Sequence, residues 1–248
     1  MVNAFVWGFI ATISLILGGF IGAWFKIGSR PLGLIMAFGA GVLISAVAFE
    51  LTYEAVKLAK GSGVAGFGLL AGAFTFFFSD MLIGRMGAHG RKAITGTHKS
   101  NLAVPIVLGT ILDGIPESIV IGLGLLDGGK VSLSMLVAVF ISNLPEAIAG
   151  TSGMVAGAWS RKRILLLWLF IAIVCAFASL GGYGLFSNAS PSAIYFIQAF
   201  AGGAILVMLA NTMIPEAYEH GGKLAGIFTV FGFTTAVFVV LLENVTYR

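Results

Sequence analysis

The feature that most limits the fold of this chain is a series of eight apolar runs, each of about 20 residues or more. A helix of that length, rising 1.5 Å per residue, crosses a hydrocarbon layer of about 30 Å. Hydrophobic residues make up 58% of the 248 residues and charged residues only 10%, which soluble domains do not show. The sequence therefore predicts an all-α polytopic membrane protein, with one transmembrane domain over residues 1–248. Its spans are predicted near 4–25, 32–56, 64–83, 102–126, 131–158, 164–186, 192–218 and 224–243.

The first run is interpreted as a retained span, because it lacks the basic region and cleavage site of a secretory signal. The single cysteine, Cys175, falls within the sixth run, where we expect it to be a small buried hydrophobic residue. The polytopic pattern predicts an integral protein of the cell membrane, either a plasma membrane or an inner membrane.

Basic residues are distributed unevenly between the predicted loops, and this indicates the orientation. Those that follow odd-numbered spans are Lys26, Arg30, Arg85, Arg91, Lys92, Lys99, Arg161, Lys162, Arg163 and Lys223. In the loops that follow even-numbered spans, the basic residues are Lys57, Lys60 and Lys130. By the positive-inside rule, the loop 84–101 is cytoplasmic and both termini are extracytoplasmic. The basic residues form no face with interleaved aromatics, so no nucleic-acid partner is expected.

A short motif occurs twice, once in the fourth span and once in the fifth. Residues 113–119 read Asp-Gly-Ile-Pro-Glu-Ser-Ile, and residues 142–148 read Ser-Asn-Leu-Pro-Glu-Ala-Ile. A carboxylate deep in a membrane costs roughly 2.5 to 3.5 kcal/mol on insertion scales, so such residues mark functional sites. Two copies of a Pro-Glu pair therefore indicate a site within the membrane.

Helix geometry predicts what this site contains. Asp113 and Glu117 lie one turn apart on one helix face, and so do Asn143 and Glu146. Each proline leaves the carbonyl four residues earlier without its helical hydrogen bond. The short turn 127–129 makes the two spans antiparallel neighbours, so we predict a cage of oxygen ligands for a cation between them. The alternative is a pair of proline kinks whose carboxylic acids are protonated and hydrogen-bonded to each other.

The seventh span repeats the second with an offset of 162 residues. Residues 37–41 correspond to 199–203, and Glu54 corresponds to Glu216. By the span count these two helices run in opposite directions, which predicts an inverted 3+2+3 repeat. Inverted repeats with broken helices are a recurring plan of secondary transporters, in which the ion binds at the repeat interface.

Other polar residues of the second and seventh spans are candidates for a transport pathway. They are Glu50, Glu54, Asn211, Glu219 and His220. The alternative for the charged members is an interfacial position, with Lys57 and Lys60 as partners of the first two. Asp80, at the end of the third span, is interpreted as interfacial, and His89 and His98 as solvated loop residues.

These motifs resemble those of the Zrt/Irt-like (ZIP) family of divalent-metal transporters. The resemblance covers nearly the whole chain in topology. At the level of motifs, the resemblance rests on the fourth and fifth spans, where the family has His-Asn-x-Pro-Glu-Gly or a close variant. Residues 38–41 and 201–203 give further support. It implies alternating access by an elevator-like motion, transport toward the cytoplasm and a homodimer. It also implies that Glu117 and Glu146 bridge two adjacent metal positions and that Asn143 is a direct ligand.

The chain departs from the family pattern at the histidines. Asp113 and Ser142 stand where the family has histidine, and Gly114 stands where it has asparagine. The full predicted ligand set is Asp113, Glu117, Ser142, Asn143, Glu146 and Glu216. Because oxygen ligands suit harder ions than imidazole does, we expect broad or shifted selectivity among zinc, manganese, iron and cadmium. No organic cofactor is expected.

Two other functions are alternatives to transport. An intramembrane metal-dependent hydrolase would hold its metal with histidines, as in His-Glu-x-x-His on one helix, which this chain lacks. An enzyme is therefore not expected. A ZIP-like metal sensor or non-transporting scaffold is the other alternative, and the loss of the central histidines motivates it.

Overall fold

The computed structural model describes residues 1–85, 103–126 and 131–246. The loop histidines His89 and His98 and the predicted turn 127–129 lie outside these residues. Within the described ranges eight helices are long and apolar enough to cross a membrane. The prediction of an all-helical protein with eight such helices is therefore confirmed.

The eight helices are numbered here in chain order. They are α1 Val2–Trp24, α2 Ser29–Leu58, α3 Val64–Ile83, α4 Ala103–Gly124, α5 Leu133–Ala156, α6 Arg161–Phe186, α7 Pro191–Gly221 and α8 Leu224–Thr246. Serine side chains cap the N-termini of three helices. The hydroxyl oxygens of Ser132, Ser160 and Ser190 each accept a hydrogen bond from the backbone N–H three residues later. Such N-caps satisfy donors that have no partner within the helix.

Two of the helices, α2 and α7, are interrupted by π-helical segments. In α2 the segment is Val47–Tyr53, and in α7 it is Leu209–Met213. The two segments begin 162 residues apart, the same offset that relates the repeated motifs of these helices. Both helices therefore change geometry at corresponding positions. Short π-helical insertions occur frequently at functional sites.

The helices pack mainly in two groups of four. In the first group α1 packs on α5 and α6, and α4 packs on α6. In the second group α2 packs on α7 and α8, and α3 packs on α7. The groups meet where α2 contacts α5 and α4 contacts α7. Packing is therefore concentrated within each group, with these two pairs joining the groups.

The contact between α2 and α8 is made by glycines. A Cβ atom at Gly41 would overlap the carbonyl of Thr229, and one at Gly232 would overlap the carbonyl of Phe38. Small residues allow close backbone approach in membranes, where lipid supplies no hydrophobic drive between helices. The α2–α8 distance is thus set by the absence of a side chain at both glycines.

The contact between α3 and α7 has the same construction. A Cβ atom at Gly72 would overlap the carbonyl of Phe200, and one at Gly203 would overlap the carbonyl of Leu69. Each α7 residue in this contact follows its α2 counterpart by 162 positions, and each α8 residue follows its α3 counterpart by 160. The two helix pairs therefore use corresponding residues for corresponding contacts.

Candidate cation site

The polar residues of the two Pro-Glu segments are buried inside the bundle. On α4, Asp113 and Glu117 are each 2% exposed. On α5, Ser142, Asn143 and Glu146 are 1%, 3% and 5% exposed. Buried carboxylates are rare unless paired, protonated or bound to a cation. The two segments thus place an unusual concentration of oxygen atoms in the interior of a membrane bundle.

Pro145 lies inside α5, next to a close approach of three helices. A Cβ atom at Gly39 of α2 would lie 3.3 Å from the carbonyl oxygen of Ile141 and 3.2 Å from the Cα of Ser142. It would also lie 3.1 Å from the Cε of Met213, at the end of the π-helical segment of α7. The carbonyl that Pro145 deprives of its helical bond is therefore at the junction of α2, α5 and α7.

Two of the α5 side chains differ in how their hydrogen bonds are used. The Ser142 hydroxyl donates to the carbonyl of Val139 at 3.1 Å, so only its oxygen lone pairs remain for another contact. The Asn143 Nδ2 is buried and has no hydrogen-bond partner among the described residues. Because a buried amide without a partner costs roughly 1–3 kcal/mol, a polar or ionic ligand at this position would be favourable. Rotation of the carboxamide would turn Oδ1, the atom that binds cations, to the same place.

Across the ranges that the structure describes, no three His, Cys, Asp or Glu side chains form a group that holds a metal ion. Asp113, Glu117 and Glu146 are buried on adjacent helices, but they are not gathered into one such group. In this conformation an ion between α4 and α5 would have to take part of its coordination from amide, hydroxyl or backbone carbonyl oxygens.

Cys175 of α6 lies against the α4 segment. It is fully buried, as expected, and its Sγ would lie 2.7 Å from a Cβ atom at Gly114. The sulfur therefore fills the space that a larger residue at position 114 would need. This packing gives a physical reason for glycine at position 114, where the ZIP family, whose motifs this sequence resembles, has asparagine.

A cavity of about 480 Å³ opens at the end of the bundle where α2 and α4 end and α5 and α7 begin. Its polar lining includes Glu50, Glu54, Ser132, Tyr195 and Gln198. Its deepest α4 residues, Val120 and Ile121, lie about one turn beyond Glu117. The cavity thus extends from the end of the bundle to the neighbourhood of the buried carboxylates.

Glu50 is held at the wall of this cavity by a chain of serines. The Ser134 hydroxyl donates to Glu50 Oε1 at 2.7 Å, and the hydroxyls of Ser134 and Ser132 are 2.8 Å apart. Ser132 is also the N-cap of α5. The chain therefore links the π-helical segment of α2 to the start of the helix that carries Glu146.

The α7 candidates occupy two different environments. Glu216 is largely buried, and its Oε1 lies 3.7 Å from Nδ1 of His220. The same nitrogen is 3.0 Å from the backbone oxygen of Glu216. Asn211 and Glu219 are exposed instead. The structure therefore brings Glu216 and His220 together and leaves the other two α7 candidates on the surface of the bundle.

The sequence interpretation missed Ser132, Ser134 and Gln198. The first two are ordinary cap-forming residues, and only the tertiary structure brings Ser134 to Glu50. Gln198 had a signal, because a carboxamide within an apolar span is costly in lipid. Its Oε1 is buried and has no hydrogen-bond partner among the described residues.

These features define a helical integral membrane protein with a buried polar centre and a cavity at one end. No family model matches the chain. The chain is similar to a protein named zinc transporter GufA from Myxococcus xanthus, with 28% identity over 183 residues. The aligned region covers 70% of this chain and 71% of that protein.

Proposed function

We propose that this chain transports divalent metal cations through the buried site between α4 and α5, as a divergent ZIP-type transporter. The observation that carries the proposal is the burial of Asp113, Glu117 and Glu146 within membrane-spanning helices. Ionisable residues at such positions are expensive and mark ion pathways. The similarity to a protein named a zinc transporter independently favours a metal ion as the substrate.

The cavity supplies a route for the ion. It is lined by Glu50 and Glu54, and these carboxylates attract cations toward its deep end near Ile121. From there the ion needs to pass about one helical turn to reach Glu117. We assign Glu216 and His220 to the exit on the opposite side, because α7 runs from the cavity end toward the other face.

The packing supports a mechanism in which the two groups of helices move relative to each other. The close backbone contacts Gly41–Thr229 and Gly72–Phe200 both lie within the second group, so we expect that group to move as a rigid unit. Repeat-equivalent contacts and π-helical segments favour the inverted repeat, and with it alternating access around a central site. The described residues form no closed three-carboxylate group in this conformation, which fits a site that is completed only when the groups move.

The chemistry of the donors favours a hard or borderline ion. Carboxylate, carboxamide and carbonyl oxygens suit manganese and magnesium, and they also accept zinc and iron(II). We expect zinc, manganese, iron and cadmium to be carried with modest differences. Transport confined to zinc or copper in a metal series would contradict the oxygen-ligand site.

The test is metal uptake into proteoliposomes by the Glu117→Gln and Glu146→Gln variants. Each change keeps the side-chain shape and removes the charge. We expect uptake to fall by at least about 10-fold, since even outer partners of metal ligands cost 10–100-fold when changed. The matched control is Asp80→Asn at the end of α3, outside the candidate set, which should retain the parent rate.

Three outcomes separate the functions that the sequence left open. Loss of uptake in both glutamine variants but not in the control supports the transport site. Parent-level uptake in both variants rejects the assignment of Glu117 and Glu146. Metal binding by the parent without any uptake would identify a sensor or scaffold.

A further inference from the structure

A second cavity lies on the outer surface of the bundle, between α1 and α6, and we call it the α1–α6 groove. Its volume is about 460 Å³. Its lining residues are Ile16, Trp24, Arg161, Lys162, Leu165, Leu166 and Leu169. The groove is therefore apolar along most of its length and carries two cations.

The charges are confined to one end of the groove. On α6 the lining runs from Arg161 to Leu169, and on α1 it runs from Trp24 back to Ile16. Each stretch covers eight residue steps, or about 12 Å along a helix axis. The groove thus begins at the basic end of the bundle and continues about 12 Å into the hydrocarbon layer.

The basic end is built rather than incidental. Arg161 Nε donates to the backbone oxygen of Ala23 at 3.2 Å, and its guanidinium lies 5.0 Å from the centre of the Trp24 ring. Trp24 in turn stacks on Phe20, with the ring centres 4.5 Å apart. The amphipathic ring of tryptophan prefers the headgroup level of a bilayer. Arg161 is therefore fixed at the depth where lipid phosphates lie.

Within the part of the chain that the structure describes, the cations at this end have no acidic partner. Arg161, Lys162 and Arg163 are exposed and form the first turn of α6, which contains no acidic residue. Among the described residues no carboxylate forms a salt bridge with any of the three. Three positive charges together favour an anion from outside the chain.

We propose that the α1–α6 groove binds an anionic phospholipid of the surrounding leaflet. Its phosphate contacts Arg161 and Lys162, and one acyl chain lies along Leu165, Leu166 and Leu169. A free phosphate ion would satisfy the cations but leave the apolar length of the groove uncovered, so a lipid is the occupant that fits both parts. Basic pockets between membrane-spanning helices recognise anionic headgroups in this way. The proposal requires only that the protein lies in a membrane and does not depend on metal transport.

The test is native mass spectrometry of the full chain in detergent, titrated with phosphatidylglycerol or phosphatidylcholine of identical acyl chains. The parent is expected to bind phosphatidylglycerol more tightly. Each basic residue near an anionic lipid contributes roughly fivefold, so Arg161→Gln with Lys162→Gln should weaken that binding by about 30-fold. Arg161→Lys, which keeps the charge, should retain most of it.

Two further variants separate the groove from general charge effects. Lys57→Gln with Lys60→Gln removes the same charge from the other end of the bundle and should leave phosphatidylglycerol binding unchanged. Leu166→Trp keeps all charges but fills the groove at a residue that is 55% exposed, and it should reduce binding at least about fivefold. Equal parent affinities for the two lipids would overturn the proposal. Parent-like binding by the Arg161/Lys162 variant would do so as well. A loss of binding supports the proposal when the variant's melting temperature matches the parent's.

Discussion

A buried polar side chain inside this bundle can find its hydrogen-bond partner on a neighbouring helix. Trp168 of α6 is 1% exposed, and its Nε1 donates to Thr151 Oγ1 of α5 at 2.8 Å. The ring also fills the space beside Gly19 of α1. This single contact therefore joins three helices of the first group.

Removal of this hydrogen bond should lower stability without changing the fold. Thr151→Val keeps the side-chain volume but leaves the indole N–H buried without its partner, at a cost of about 1–3 kcal/mol. For a chain of this size, each kcal/mol shifts the melting temperature by about 2–4 °C. Thermal unfolding in detergent should show this decrease.

The control for this prediction is Thr234→Val, because Thr234 is exposed and bonds only to the carbonyl of Val230 in its own helix. It should melt within about 1–2 °C of the parent, as most surface changes do. An equal decrease for both threonines would mean that the Trp168 contact has no special role.

At the scale of whole helices, glycine positions decide which pairs pack most closely. Gly72 and Gly66 both lie in α3, yet only Gly72 faces a neighbouring backbone, at Phe200 of α7. A Cβ atom at Gly66 would meet nothing within 4 Å. The same residue type therefore has a packing role at one position and none at the other.

Alanine substitutions at these two positions should have opposite effects. Gly72→Ala forces α3 and α7 apart and should cost at least about 1–3 kcal/mol, as overpacking does. Gly66→Ala should be neutral or stabilising by up to about 1 kcal/mol, because alanine favours the helix. Melting temperatures measured side by side would test this difference. Two similar values would show that α3 and α7 are not held by backbone contact.

At the scale of the whole molecule, the position of the cavity relates the polar centre to one side of the membrane. The cavity is lined at its mouth by Leu58, Leu126 and Pro191, next to the connections 59–63 and 187–190. The positive-inside rule predicts that this end is extracytoplasmic. The Glu50 and Glu54 carboxylates would then receive ions from outside the cell.

Single-cysteine labelling tests this orientation. With an impermeant maleimide on intact cells, Ser62→Cys and Ser187→Cys should react, whereas Lys26→Cys and Lys223→Cys should react only after the membrane is opened. All four positions are exposed. The parent is a built-in control, because its only cysteine, Cys175, is fully buried. The reverse labelling pattern would place the cavity on the cytoplasmic side.

The sequence by itself determined the helical class, the eight apolar helices and the burial of the two Pro-Glu segments. Hydrocarbon allows a spanning chain few structures other than helices, so the length and spacing of apolar runs are sufficient for the first two. Burial of Asp113, Glu117 and Glu146 follows because carboxylates are driven away from lipid and into the bundle. The orientation and the repeat stay predictions.

Only the tertiary structure decided how these helices meet. The reciprocal glycine contacts, the π-helical segments and the bond between Ser134 and Glu50 depend on helix rotation and register, which a hydrophobic run leaves open because it is apolar on every side. The same freedom explains why the α4 and α5 carboxylates are buried on neighbouring helices without forming a group of three. Periodicity sets the face of a single helix, whereas the distance between two faces depends on every contact that holds the helices in place.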